Sequence, residues 1–121
     1  MTRDEFLTGL RAVVIDANAT HYDALYADFP LEQAKTPFLK GMVALYAELS
    51  PDQRAVLARM YRKVAAEAVS NTLSVLDHGL PGQGGGFALR HGFRRLNGDL
   101  AQRFLEEEDR VGGASGNPDA P

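Results

Sequence analysis

The side chains of this chain with the most chemical potential cluster between positions 78 and 110. Residues 79–87 read GLPGQGGGF, five glycines in nine positions, and Arg90, His91, Arg94, Arg95 and Arg103 follow with Phe87 and Phe93 among them. A nucleotide phosphate loop needs lysine and a hydroxyl directly after its glycines, so that an ammonium and a magnesium ligand meet the phosphates. Here the glycines run into Phe87. A dinucleotide loop needs G-x-G-x-x-G between a strand and a helix. Gly82 and Gly84 have the first spacing, but Phe87 takes the third position and a helical pattern precedes. The segment is therefore expected to be a mobile connector, or a glycine cluster that lets a partner approach the backbone.

The arginines carry a different chemistry. Guanidinium groups pair bidentately with carboxylates and phosphates alike, so Arg90, His91, Arg94, Arg95 and Arg103 are the candidate partner-binding residues. An acidic protein surface is the expected partner, with nucleic acid as the alternative and ordinary solvated surface as the bland reading. Catalytic chemistry finds no foothold. His21, His78 and His91 lie in no H-E-x-x-H or other paired spacing, and no G-x-S-x-G elbow occurs. Asp77 and His78 are adjacent, and adjacent helical residues point about 100° apart, so they form no dyad. Glu106, Glu107, Glu108 and Asp109 read as solvated charges. No catalytic, cofactor-binding or metal-ligating residue is expected, and no enzyme.

Composition narrows the setting. A chain of 121 residues is long enough to bury about 60% of its unfolded surface and fold without staples. It has no cysteine, hence no disulfide, no thiolate zinc site and no thiol nucleophile. The start, MTRDEFLTGL, carries acids where a secretory leader needs a basic beginning, and no apolar run suits a membrane span. A soluble, cytoplasmic protein is expected. The net charge of −3 is unevenly placed: positions 1–35 hold three basic and six acidic side chains, 36–104 nine and five, and 105–121 one and five.

Several elements must position these residues. Thr2 with Glu5 is a capping box, and Phe6, Leu10, Val13, Val14 and Ala17 recur at helical spacing to a fraying end at Asn18. Thr20 and Asp23 open a second segment with Tyr22, Leu25, Tyr26 and Phe29 on one face, closed by Pro30. Thr36 and Ser50 are N-caps followed by proline, which suits a first turn because its missing N–H would be unpaired there. The first of the two helices they start carries Phe38, Met42, Leu45 and Leu49. The second, from Pro51 to Asp77 with Gly79 as its left-handed stop, carries Leu57, Met60, Tyr61, Val64, Ala68, Thr72, Val75 and Leu76, a stripe expected to be buried. Leu89, Phe93, Leu96, Leu100 and Phe104 fit a helix, but Gly92 and Gly98 would each cost it about 1 kcal/mol. The favoured reading is a short ribbon, FALR and FRRL joined at His91 and Gly92, then a helix capped by Asp99 with Gln102 three residues on. RVGGASGNPDAP at the end is too small and polar to pack.

Two local likenesses arise. LSPDQRAVLARMY resembles the first helix of the DNA-binding region 4 of sigma factors, but the helix continues through RKVAAEAVSNTLSVL with no turn and recognition helix. NTLSVLDHG, followed after the glycines by FALRHGFRRLNGDLAQRFLEEE, resembles the C-terminal half of small, mainly helical bacterial proteins, some of them similar to immunity proteins of secreted toxins. His78 stands where that pattern has glycine. The resemblance implies a cytoplasmic binding protein that inactivates its target by occupying it.

The sequence thus predicts a mainly α fold, a bundle of four or five helices with one long central helix and a small β-hairpin near 87–96. It predicts one helical domain over 1–109 and a disordered polar tail over 110–121. Its expected role is that of a non-catalytic protein-binding module, an immunity-type protein in the specific version, with a nucleic-acid-associated regulator or a small motif-free enzyme as rivals.

Overall fold

The computed structural model describes residues 1–114 of the chain. It is mainly α. Helix α1 (Arg3–Arg11) runs through a π-helical stretch (Ala12–Asp16) into α2 (Ala17–Asp28), and a 3-10 turn (Leu31–Gln33) leads to α3 (Pro37–Glu48). The long α4 (Pro51–His78) precedes a two-stranded hairpin, β1 (Arg90–His91) and β2 (Arg94–Arg95), and α5 (Leu100–Ala114) completes the order.

Local chemistry explains the helix starts. Thr2 Oγ1 accepts from Glu5 N at 3.1 Å, and Thr36 Oγ1 accepts from Leu39 N at 3.1 Å. Ser50 forms a full reciprocal box with Gln53: Gln53 N donates to Ser50 Oγ at 3.1 Å and Ser50 N to Gln53 Oε1 at 2.8 Å. Pro30 follows the end of α2, and Gly79, at φ +91°, donates its N–H to Val75 O at 2.8 Å and ends α4. Asn18 and Thr20 do not separate two helices. Asn18 Nδ2 donates to Val14 O and Thr20 Oγ1 to Asp16 O, so both side chains bond back along one continuous helical run. Helix α5 continues through Ala114, past the expected start of the tail, and positions 115–121 lie outside the described residues.

The described residues group into two compact units. One comprises Met1–Arg11 with the chain from Ala65 onward, the other Ala12–Val64, and α4 contributes to both. In the first, Leu7, Leu73, Leu96, Leu100 and Phe104 form the apolar core, and Ala66, Ser70, Leu73 and Asp77 are the buried stripe of α4. Arg11 is buried beside them. Its guanidinium lies 4.5 Å from the Phe104 ring centroid, donates to Phe104 O at 2.9 Å and pairs with Glu108 at 2.9 Å. Glu108 is consequently not a solvated charge, because a nearly buried cation requires it.

In the second unit Ile15, Tyr26, Ala34, Val43 and Tyr46 are buried. Tyr46 is the centre: the Tyr26 ring lies tilted against it with centroids 5.4 Å apart, its hydroxyl bonds Tyr61, and its carbonyl accepts from Arg54 Nε at 3.0 Å.

Three expected stripes are corrected. On α1 the buried positions are Leu7 and Arg11 rather than Phe6 and Leu10, and Val13 is exposed. On α3 they are Val43 and Tyr46, while Phe38 and Leu45 are exposed. On α4 Met60 and Val64 are exposed and Leu57 is only half-buried. The reason is common to the first two: the buried face is fixed by a side chain with a polar group, Arg11 or Tyr46, that finds internal partners and that apolar periodicity does not count.

Two outcomes are expected. Phe104→Ala should destabilise the chain by about 3–5 kcal/mol, whereas Met60→Ala should stay within about 0.5 kcal/mol, both read by urea unfolding; reversal of the order would show that the exposed stripe is core. Burial, reinforced by the hydroxyl bond to Tyr46, pushes the Tyr61 hydroxyl above its ordinary value of 10.0. The folded-state value lies above the unfolded one, so this contribution is complete below pH 10 and is lost as pH rises beyond it. Unfolding free energy should fall above about pH 10 less steeply in Tyr61→Phe than in the wild type, and equal slopes would remove Tyr61 as the cause.

Candidate functional site

The arginines are held by a framework at the end of α4, and that framework rests on two buried polar side chains. Asp77, in the last turn of α4, accepts from Gly98 N at 2.6 Å through Oδ1 and from Ala101 N at 2.9 Å through Oδ2. The start of α5 is therefore capped from another helix. Asp99, the expected cap, instead accepts from Arg103 Nε at 2.7 Å, one turn along the same helix. Asn97 is buried too, and its amide is used fully: Nδ2 donates to Leu76 O at 2.7 Å and Phe87 O at 2.6 Å, while Oδ1 accepts from Leu89 N at 2.8 Å and Arg95 Nε at 3.3 Å.

The glycine segment closes against this framework. Phe87 N donates to Leu76 O at 2.9 Å, so the chain returns onto the helix end it has just left. At the crossing, a Cβ on Gly86 would overlap the Asp77 carbonyl, and one on Gly79 would overlap the Gly85 carbonyl. These glycines are required by backbone lying on backbone. The approaching backbone is the chain's own, a reading between the flexible connector and the partner-facing cluster that the composition suggested.

From Leu89, whose carbonyl accepts from Leu96 N at 2.8 Å, the hairpin projects outward. It pairs Arg90 with Arg95 and His91 with Arg94 in antiparallel register, and Gly92, at φ +63°, with Phe93 forms the type II′ turn. All four strand residues are exposed, and Phe93 at the tip is 103% exposed. Phe93 therefore leaves the helical stripe in which its spacing placed it, and the ribbon reading holds. Phe87, whose carbonyl accepts from Arg95 and Asn97, adds half-exposed apolar surface near its base.

The five candidate residues divide by what they touch. Arg90 and His91 stand on β1. Arg94, Arg95 and Arg103, joined by Arg3, line an open cleft of about 350 Å³ with Thr2 and Asp4. Arg3 donates through Nε to Leu96 O at 2.8 Å and lies 3.8 Å from Asp99. Arg103 holds Asp99 and reaches Asp4 at 3.4 Å. Its bond to Asp99 and that carboxylate's charge raise its pKa further above the ordinary arginine value. Arg95 donates to Asn97 and, at 3.4 Å, to Phe87 O, and Arg94 reaches Met1 O at 3.5 Å. Among the described residues no group of three or more histidine or acidic side chains could hold a metal ion, and no helix is long and apolar enough to cross a membrane.

Sequence reasoning missed Arg3, Asp77 and Asn97. Arg3 is remote in the chain and carried no motif, Asp77 looked like an ordinary helix-end acid, and Asn97 was hidden in the turn dipeptide Asn97–Gly98. An asparagine followed by glycine immediately before a helix was the one available signal.

Asn97→Ala leaves the part-buried Leu89 N and the Leu76 and Phe87 carbonyls without their side-chain partner and should cost about 1–3 kcal/mol. Gly86→Ala should also lower the thermal midpoint, because the Asp77 carbonyl must give way, and should do so without loss of far-UV helical signal at low temperature. A Gly86→Ala midpoint equal to that of the wild type would show that the crossing is looser than described.

Compared with known proteins, the chain has no matching family model, no curated protein similar to it and no matching solved structure.

Proposed function

We propose that this chain is a non-catalytic protein-binding module that presents the hairpin over 90–95 to an acidic partner surface. The observation that carries this reading is the tip: Phe93 makes no use of its ring in folding, and Arg90 stands directly opposite Arg95. Like charges directly opposed across a hairpin oppose its stability, and a fully exposed ring contributes no burial. Neither feature helps the fold, and both suit an interface, where aromatic and arginine side chains are the commonest energetic anchors. Arg94, Arg95 and Arg103 extend the positive field beside the tip, which favours encounter with an acidic surface.

The specific version is an immunity-type protein that neutralises a bacterial toxin by occupying it, acting in the cytoplasm. It is supported by the resemblance over the C-terminal half and by the location of the hairpin inside that half. A mechanism of occupation asks for a rigid presenting surface, and the capped framework of Asp77 and Asn97 supplies one.

The test uses the full chain as bait in its native host, with Phe93→Ala and Arg90→Glu as separate variants; Arg90 makes no side-chain bond among the described residues, so its reversal spares the fold. Each variant should lose the partner that the wild type retains, with unchanged circular dichroism, and the retained partner should be growth-inhibitory when expressed alone and harmless when co-expressed with this chain. Retention by both variants would remove the hairpin from the interface. Submicromolar binding of generic RNA or DNA at 150 mM salt, abolished by Arg90→Glu, would instead favour the nucleic-acid reading.

A further inference from the structure

The cleft beside the hairpin has a chemistry of its own. Arg3, Arg94, Arg95 and Arg103 bring four guanidiniums to one cleft of about 350 Å³, a volume at the small end for ligand sites. Among the described residues the carboxylates that pair with them are Asp4 and Asp99, so the ion pairs leave two of the four positive charges unmatched. The arginines are anchored without being exhausted. Arg3 is fixed through Nε to Leu96 O, which leaves both of its terminal nitrogens without an acceptor among the described residues. Arg103 is fixed through Nε and Nη1, which leaves Nη2, and Arg94 makes one loose contact through Nη1. Arg95 is held by Asn97 Oδ1 and Phe87 O. Thr2 Oγ1 accepts from Glu5 N, so its own hydrogen is still to be given.

This is a convergent array of donors, each guanidinium tethered at one edge and open at the other. Tethering removes part of the ordering cost that a ligand would otherwise have to offset. Two unmatched positive charges are best met by a doubly charged anion with several acceptor oxygens, and a phosphate group has both properties. A carboxylate brings a single charge and two oxygens.

We infer that the cleft formed by Arg3, Arg94, Arg95 and Arg103 is a binding site for a phosphate dianion, either free phosphate or the phosphate of a small monoester. The site adjoins the proposed protein interface and shares Arg94, Arg95 and Arg103 with it, whereas Arg90, His91 and Phe93 do not line it.

The test is calorimetric titration of the full chain with sodium phosphate at pH 7.5 and constant ionic strength set with chloride, accompanied by NMR of the arginine Nε–H signals. Saturable one-to-one binding is expected, with shifts at the cleft arginines. Arg3→Gln and Arg103→Gln should each weaken it about tenfold, as loss of a charge-assisted contact implies, while Lys63→Gln, an exposed lysine of α4, should leave it unchanged. Because Arg3 and Arg103 also hold Asp99, Arg94→Gln serves as the variant that spares the fold, and it too should weaken binding. Glycerol 2-phosphate binding more tightly than inorganic phosphate would assign the site to a monoester, and the reverse order to the free ion. Binding that does not saturate, that Lys63→Gln weakens as much as Arg94→Gln does, or that succinate matches in affinity would overturn the proposal.

Discussion

Two side chains at the end of α4 decide the arrangement of the chemically interesting third of the chain. Asp77 and Asn97 are both buried, and between them they bind the backbone at Leu76, Phe87, Leu89, Gly98 and Ala101. The segment from Gly79 to Gly98 has almost no regular structure of its own, so its backbone groups must be satisfied by side chains or water. A carboxylate and an amide do this with little bulk, since each serves several groups from one position. Their bonds are mutually dependent: Asn97 can reach Leu76 O only if the chain crosses back over α4, and it crosses only because Gly79 and Gly86 allow backbone on backbone.

This constraint explains the stiffness of the hairpin's base and the freedom of its tip. Leu89, Phe87 and Arg95 are all tied to Asn97. Two residues further out the strands end, and Phe93 stands fully in solvent. A two-stranded ribbon this short has no independent stability, so its form is imposed from below. The like-charged pair of Arg90 and Arg95 is tolerated because Asn97 and the Phe87 carbonyl hold Arg95 on its inner side.

The same economy of buried polar groups recurs in both compact units. Arg11 lies under α5 because Glu108, the Phe104 carbonyl and the Phe104 ring together replace its water. Tyr46 occupies the centre of the second unit with its hydroxyl on Tyr61 and its carbonyl on Arg54. In each case an amphipathic side chain, rather than an aliphatic one, orients a helix.

Local sequence was enough for the helix ends that close on their own neighbours, because capping is short-range chemistry; it misplaced a break at Asn18 and Thr20 and the cap of α5, which comes from Asp77 on α4. Thr2, Thr36 and Ser50 bond groups three residues away, Pro30 and Gly79 act through their own dihedral angles, and the choice of ribbon over helix at 87–96 followed from the helix cost of Gly92 and Gly98. The apolar run of Leu96, Leu100 and Phe104 was legible for the same reason, since its spacing and its burial agree. The faces of α1, α3 and α4 were not legible, because periodicity counts apolar side chains and the buried positions Arg11, Tyr46 and Asp77 carry polar groups whose partners lie elsewhere in the chain. The arginines at 90–103 could be named from sequence as a basic cluster. Only tertiary structure added Arg3 to them, separated Arg90 and His91 from the cleft and tethered the others, since which guanidinium edge remains open depends on acceptors supplied by residues distant in sequence.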